Sequence, residues 1–559
     1  MFFPCTSIET GGEPLERRLA RIMVPDLNTG SSPDPKCSNR LRQVYLGVLF
    51  ALLVAGGLTF VLKCFHDVYY PFQWDDDEGA VWWEAAHITH LREAYHPLQQ
   101  YPYFVVPYPP VYHLATWLAA RITGDFLVAG RLICVLSALG ISALMGLLVL
   151  HVSPRRFSTR LRAAGGLAAA LFCFRPESLS RYIPEMGVDL LAVFLTLLGM
   201  YVFVRSSARS RREYLAFGIF VLALFTKQTM VAAPAACLLV SALDSWRAAI
   251  RRTLFSVGLG LLILGYLVWA TGGEILRHLF LYNVRQPFSL THWINGIEEN
   301  VNGMLPLAAL AGLAVLPILY RPIVTNCSDW IRWLRRGIQE SPCRRALVVL
   351  GVELCLALVT SFSYGKAGSG VHYFLEWNFV CCPLAGLLFV RGLAGWRSAS
   401  RYSPAGATIF LLLLLAALTG FPDSLRRLNH VFLFSSGERH TQTVLCESAA
   451  AALRIVEETP GPVFCENMLL VMKAHKEIPI EPGINCYLAK LGVWDQSPFV
   501  NMIASQRFGV IILRNLDNPF WTDSIVRAIR AHYVAAEHLG DAGVENGYYV
   551  VYRPRTQAP

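Results

Sequence analysis

Charge is what this 559-residue sequence has least of: 16% of its residues are Asp, Glu, Lys or Arg, against 54% hydrophobic residues and a mean hydropathy of +0.42. Soluble domains carry about 25% charged residues, so an ordinary soluble chain is excluded. Metal-type CxxC spacing is lacking among the fourteen cysteines. Cys134, Cys237, Cys381 and Cys382 lie inside apolar runs, where Cys serves as a small hydrophobe. Cys446, Cys465 and Cys486 form an odd set near the C-terminus with no readable pairing. A cleavable signal pattern is also lacking, because the first forty residues are polar and contain several prolines. The first apolar run is then expected to act as an uncleaved targeting signal. No internal repeat is visible, which leaves an inverted-repeat transporter without support. The net charge of +10 is scattered through short arginine-bearing loops rather than gathered in one patch, which argues against a nucleic-acid partner.

What the sequence does have is long apolar runs, such as YLGVLFALLVAGGLTFVL (45–62) and LFSVGLGLLILGYLVWA (254–270). These approach the ~20 residues that cross ~30 Å of hydrocarbon. Hydropathy predicts about eleven membrane spans, near 44–63, 128–150, 163–175, 187–204, 214–226, 229–243, 253–271, 301–320, 346–361, 374–391 and 405–420. Basic clusters precede the first span and follow the second, fourth, sixth, eighth and tenth; Arg155, Arg211, Arg251, Arg335 and Arg397 mark the later five. The alternate loops are poor in Lys and Arg. The basic-loop rule therefore predicts a cytoplasmic N-terminal tail (1–43), a membrane region (44–420) and an external C-terminal region (421–559).

Two external regions are large. The first loop (64–127) holds Trp- and Tyr-rich amphipathic pieces too broken to span, expected as interfacial helices. The C-terminal region alternates helical periodicity (ESAAAALRIVEE, PFWTDSIVRAIRAHY) with β-type runs (GPVFC, FGVIIL, GYYVVYR), which predicts a small α/β domain. The fold class expected is thus an α-helical polytopic membrane protein with a small extracytoplasmic α/β domain.

Ionisable residues concentrate in the loops assigned to the outer face. Asp75, Asp76, Asp77 and Glu78 follow the first span; adjacent carboxylates raise one another's pKa, which suits one of them as a general base. The same run also reads as a solvated acidic turn. The third loop carries Arg175, Glu177, Arg181, Tyr182, Glu185 and Asp189. Lys227 is wedged between two apolar segments, a costly position unless it faces a cavity or snorkels to the surface. The seventh loop holds Arg285, His292 and Trp293, and the ninth is YGKAGSGVHY (364–373). In the ninth, glycines permit close backbone approach and Lys366 supplies a mobile point charge suited to phosphate; a plain glycine-rich connector reads similarly. Acid beside an acceptor and cations beside a phosphate are what displacement of a phosphate leaving group needs.

Four stretches carry a family likeness: DDDEGAVWWEAA (75–86), PYPPVYHLATWL (107–118) with GRL at 130–132, LFTKQTMVAAP (224–234) and SYGKAGSGVHYFLE (363–376). In order and spacing, residues 40–390 resemble the GT-C superfamily of integral-membrane glycosyltransferases. The likeness is to the branch of protein O-mannosyltransferases and lipid A aminoarabinose transferases. The Asp-Glu pair is the most specific element and YPP the least. The resemblance implies inverting transfer of sugar from a polyprenyl-phosphate donor to an acceptor hydroxyl. It implies Asp77 as base with Glu78 beside it, and Lys227 and Lys366 as cations for the departing phosphate, with Arg285 and Arg181 as helpers. Asp76, Tyr108, His372 and Tyr373 are the candidate substrate-binding residues. Asp75 and Asp76 are acids additional to the pair and leave the choice of base open. Tyr108-Pro109-Pro110 stands where the aminoarabinose transferases carry Glu-Lys-Pro, so aminoarabinose is not assigned as the sugar. The tail resembles the external domain of bacterial relatives of unknown acceptor.

No cofactor or metal is required by this scheme, and a divalent cation on the acid cluster is compatible with it. Expected partners are the lipid-linked sugar, an acceptor that is glycan, lipid or protein, and membrane lipid. Two other classes compete. A lipid-linked saccharide ligase or polymerase would place its key residues in one large late loop. A lipid or solute transporter would bury charges at mid-membrane. The aromatic Trp82, Trp83, Tyr101 and Tyr108 read first as an interfacial belt and second as platforms for sugar rings.

Overall fold

The structure, a computed structural model, describes residues 35–175, 183–206, 210–283, 287–324, 327–366, 369–398 and 404–555. Each of the predicted spans overlaps a helix. In chain order the main helices are α1 (Pro35–Val68), α2 (Glu78–His87), α3 (Val111–Thr123), α4 (Phe126–Val152), α5 (Thr159–Phe172), α6 (Asp189–Arg205), α7 (Arg212–Leu224) and α8 (Ala232–Asp244). They continue as α9 (Trp246–Thr271), α10 (Leu290–Val324), α11 (Cys327–Glu340), α12 (Pro342–Thr360), α13 (Leu375–Ser398) and α14 (Pro404–Thr419). Local chemistry sets their ends. Asp125 caps α4 by accepting from Leu127 and Val128 N–H, and Ser158 caps α5 through Leu161 N–H. Gly272 closes α9 in the left-handed conformation.

Among the described residues six helical stretches are long and apolar enough to cross a membrane: Arg40–Val68, Phe126–Val152, Trp246–Thr271, Pro342–Gly365, Val371–Gly395 and Gly406–Phe432. A seventh arises if the two halves of α10, bent by 82°, count as one span. The chain is an integral membrane protein. Four of the eleven predicted spans correspond to α5, α6, α7 and α8, which have 14, 17, 13 and 13 residues. They are the expected helices but fall short of the ~20 residues of a straight span.

The two sets of loops separate to opposite ends of the bundle. At the arginine-rich end Glu213 of α7 is salt-bridged to Arg252 of α9 and Arg345 of α12. There too Asp244, closing α8, accepts from Arg335 and Gln339 of α11. The start of α8 lies at the other end, next to Lys227.

Beyond α14, helix α15 (Phe421–Phe432) packs along α1, with Arg427 donating to Gly56 O at 3.1 Å and Phe174 O at 2.8 Å. Helix α16 (Ser436–Glu458) leads into a four-stranded sheet of order β1-β2-β4-β3. Its strands are β1 (Val463–Cys465), β2 (Val510–Leu513), β3 (Tyr533–Gly540) and β4 (Tyr548–Pro554); β1 is parallel to β2 and the other pairs are antiparallel. Three strands are the predicted β-type runs. The sequence reading missed β3, an edge strand whose YVAAEHLG is mostly exposed and lacks the apolar alternation that marks a strand.

The sheet domain sits on the first loop. Residues Pro479–Glu481 pair with Tyr103: Tyr103 N donates to Pro479 O and Glu481 N to Tyr103 O, at 3.0 and 2.9 Å. Gly79 of α2 presses against the backbone of Met468 and Leu469, where an added Cβ would lie 2.3 Å from Leu469 N.

Candidate functional site

A cavity of about 430 Å³ lies between the bundle's loops and the sheet domain, with Asp77, Glu84, Tyr108, Lys227, Lys366, His372, Tyr373 and Glu481 in its wall. A second cavity of about 320 Å³ adjoins it through Asp77, Tyr108 and His372 and is lined further by Asp75, Glu185 and Asp189. Asp77 stands at the N-terminus of α2 without capping it, so its carboxylate is left for the cavity. Its side chain is exposed, and the surface it offers lines both cavities. Burial pushes its pKa well above the usual carboxylate range, and Asp75, Glu481 and Asp76 add repulsion.

Glu84 is two turns further along the same face of α2. Burial raises its pKa well above the ordinary value, and the charge of Asp77 adds to this. Behind it, His113 Nε2 of α3 lies 3.2 Å from Glu84 Oε2, and burial holds that imidazole down to about 3. The sheet domain contributes Glu481, which accepts from Gly483 N at 2.7 Å and Ile484 N at 2.8 Å, opening helix α17 (Pro482–Lys490). Burial outweighs those amides and raises Glu481 to about 7.

The cations face these acids. Helix α7 ends at Leu224; the turn that follows, in which the Thr226 hydroxyl donates to Leu222 O at 2.8 Å, aims Lys227 inward. Lys227 does not snorkel. It is 1% exposed, paired with Asp189, and its Nζ lies 4.5 Å from the Tyr373 ring centre and 5.6 Å from that of Tyr108. Lys366 donates to the neutral Asn283 Oδ1 at 2.8 Å, and among the described residues no carboxylate is paired with it. Burial lowers its pKa from the usual lysine value, and Lys227 lowers it further.

No family model and no curated protein matches the chain. Among solved structures, ArnT from Cupriavidus metallidurans bound to undecaprenyl phosphate aligns over 90% of this chain and 98% of its own, at 12% identity and a TM-score of 0.52. The apo form of the same protein aligns over 90% and 97%, at 14% identity and a TM-score of 0.51. The chain shares the fold of this ArnT.

Within this fold two of the expected site residues turn away from the cavity. Glu78 is not placed beside Asp77. One step on along α2 rotates it about 100° into an ion pair with Arg131 in which both side chains are 0% exposed. Its Oε1 also accepts from Met186 N at 2.8 Å and its Oε2 from Trp74 N at 2.7 Å. Arg131 in turn donates to the carbonyls of Tyr70 and Phe72. The pair fastens the loop that carries Asp77 to α4, and it keeps the Glu78 carboxylate out of both cavities. Asp76 likewise points outward and is salt-bridged to Arg514 of the sheet domain, which makes it a docking residue rather than a cavity residue.

Arg181 and Arg285, with Glu177 and Tyr182, lie outside the described residues. Arg175 holds helices together through Gly303 O and Thr419. His292 stacks on Tyr364 at 4.6 Å. Trp83 stacks on Phe104 at 4.1 Å and is core, while Trp82 and Tyr101 border an open cleft of about 1080 Å³ on the far side of α2. Glu84 and Glu481 are cavity residues that the sequence reading had not named, and Asp189 it had named only among the ionisable residues of the third loop. Helical spacing from Asp77 points to Glu84, and nothing local points to Glu481.

Proposed function

We propose that this protein is an inverting membrane glycosyltransferase that moves a sugar from a polyprenyl-phosphate donor to an acceptor hydroxyl at the external face. The observation that carries the reading is that Asp77, Lys227 and Lys366 line one cavity although they come from loops 150 and 139 residues apart. That ArnT, which shares the fold, is described with undecaprenyl phosphate bound supports a lipid phosphate as the donor's leaving group.

In this reading the acceptor oxygen attacks the anomeric carbon from the side opposite the phosphate. Its proton passes to Asp77 as the new C–O bond forms. The bond from the anomeric carbon to the phosphate oxygen breaks, and the electron pair leaves with the polyprenyl phosphate. Lys366, whose hydrogen-bond partner is neutral, is the main anchor for that charge. Lys227 must share itself with Asp189 and contributes second. Tyr108, Tyr373 and His372 bound the space for the sugar.

Transfer measured in membranes with radiolabelled polyprenyl-phosphate sugars tests this. Asp77→Asn is expected to lower the rate by at least 100-fold, within the 10²–10⁴ attributed to a general base, with protein levels unchanged. Transfer at the wild-type rate in that variant removes Asp77 from the base role.

A further inference from the structure

Away from the catalytic cavities, a second cluster joins the outer end of α1 to α15. The last turn of α1 presents His66 and Asp67, and α15 presents His430. One ligand atom from each lies within 4.8 Å of the others, the only such group of three among the described residues. His66 Nδ1 is 2.6 Å from Asp67 Oδ1, and His430 Nε2 is 2.9 Å from the same oxygen. None of the three lines either cavity around Asp77.

We propose that His66, Asp67 and His430 bind a divalent transition metal of the zinc class. Two imidazoles and one carboxylate form a common zinc donor set with a fourth position left open. Two nitrogen donors favour zinc over magnesium or calcium, which prefer all-oxygen shells. The surroundings fit the assignment. The other ring nitrogen of His430 lies 2.9 Å from Glu438 Oε1, the carboxylate–histidine–metal relay that orients ligating imidazoles. The other oxygen of Asp67 is held by Lys63 Nζ at 2.6 Å. Asp67 is 0% exposed, whereas His66 and His430 are 32% and 18% exposed, so an ion has a way in.

A metal here would act as a clasp. The Asp67 carbonyl accepts from Trp74 Nε1 and Arg131 Nη1, both at 3.2 Å, and the Trp74 ring sits 5.4 Å from His430. The ion would tie α1 and α15 together at the root of the loop that carries Asp77.

The test is metal content of the purified full-length protein after zinc loading and exhaustive dialysis, on the wild type, His430→Gln, His66→Gln and Asp77→Asn. One zinc per chain is expected in the wild type and in Asp77→Asn. At least tenfold weaker retention is expected in each histidine variant. Cobalt(II) added to the wild type alone should give visible d–d absorption that zinc displaces, a readout that stands even if a histidine variant fails to fold. No bound zinc in the wild type, equal retention in well-folded histidine variants, or loss confined to Asp77→Asn would overturn the proposal.

Discussion

Asp77 and Glu78 are chemically near-equal neighbours, and helix geometry alone separates them. Adjacent residues on α2 differ by about 100°, so one faces the cavity and the other Arg131. Residues 77, 81 and 84 share a face, which is why Asp77 and Glu84 both line the cavity. Asp77 has to be ionised to accept a proton, and burial with its acidic neighbours raises its pKa. The rate should therefore rise with pH through a midpoint above the ordinary aspartate value of about 3.9. On the alkaline side it should fall where Lys366 loses its proton, below the ordinary lysine value of about 10.4. Asp75 contributes repulsion to Asp77, so Asp75→Asn relieves the anion and should move the acid limb to lower pH. A pH profile of kcat/KM for the two proteins checks this, and a limb that stays put argues that another group sets it.

At the scale of elements, the helices were legible because each apolar run is also a run without charge, and Ser, Asp and Gly punctuate the ends. Docking of the sheet domain was not legible. The contact of Tyr103 with Glu481 joins positions 378 residues apart through backbone groups, which leave no trace in side-chain pattern. Asp76 gave no warning either, because an exposed acid awaiting Arg514 looks like any acid. Gly79 is the point where docking admits least tolerance, since its neighbours are the main chain of Met468 and Leu469 rather than side chains that can rotate away. Gly79→Ala should push α2 from the sheet domain at a cost of about 1–3 kcal/mol, the range for overpacking a close contact. Thermal unfolding of the two proteins in detergent measures it. Because Asp77 heads α2 and Glu481 belongs to the displaced wall, transfer should fall as well. An unchanged melting temperature would show that this contact yields more readily than the geometry allows.

At the scale of the whole molecule, the cavity has walls from both units: cations and Tyr373 from the bundle, acids and Tyr108 from the first loop, and Glu481 from the sheet domain. Such a chamber works only if all of its walls lie on the same side of the bilayer. The grouping of Glu213, Arg252 and Arg345 at the opposite end supports that separation, and the basic-loop rule then predicts that the arginine end faces the cytoplasm. Cys446 makes the assignment measurable. It is an exposed free thiol on α16, in the sheet-domain half. Cys355, also exposed, lies within an apolar span, where a charged reagent finds lipid rather than water. A membrane-impermeant maleimide added to intact cells should label the wild type, and Cys446→Ser should lose that label. Label that is lost in Cys446→Ser and appears only after the cells are opened would put the sheet domain, and Asp77 with it, on the cytoplasmic side and would reverse the proposed direction of the reaction.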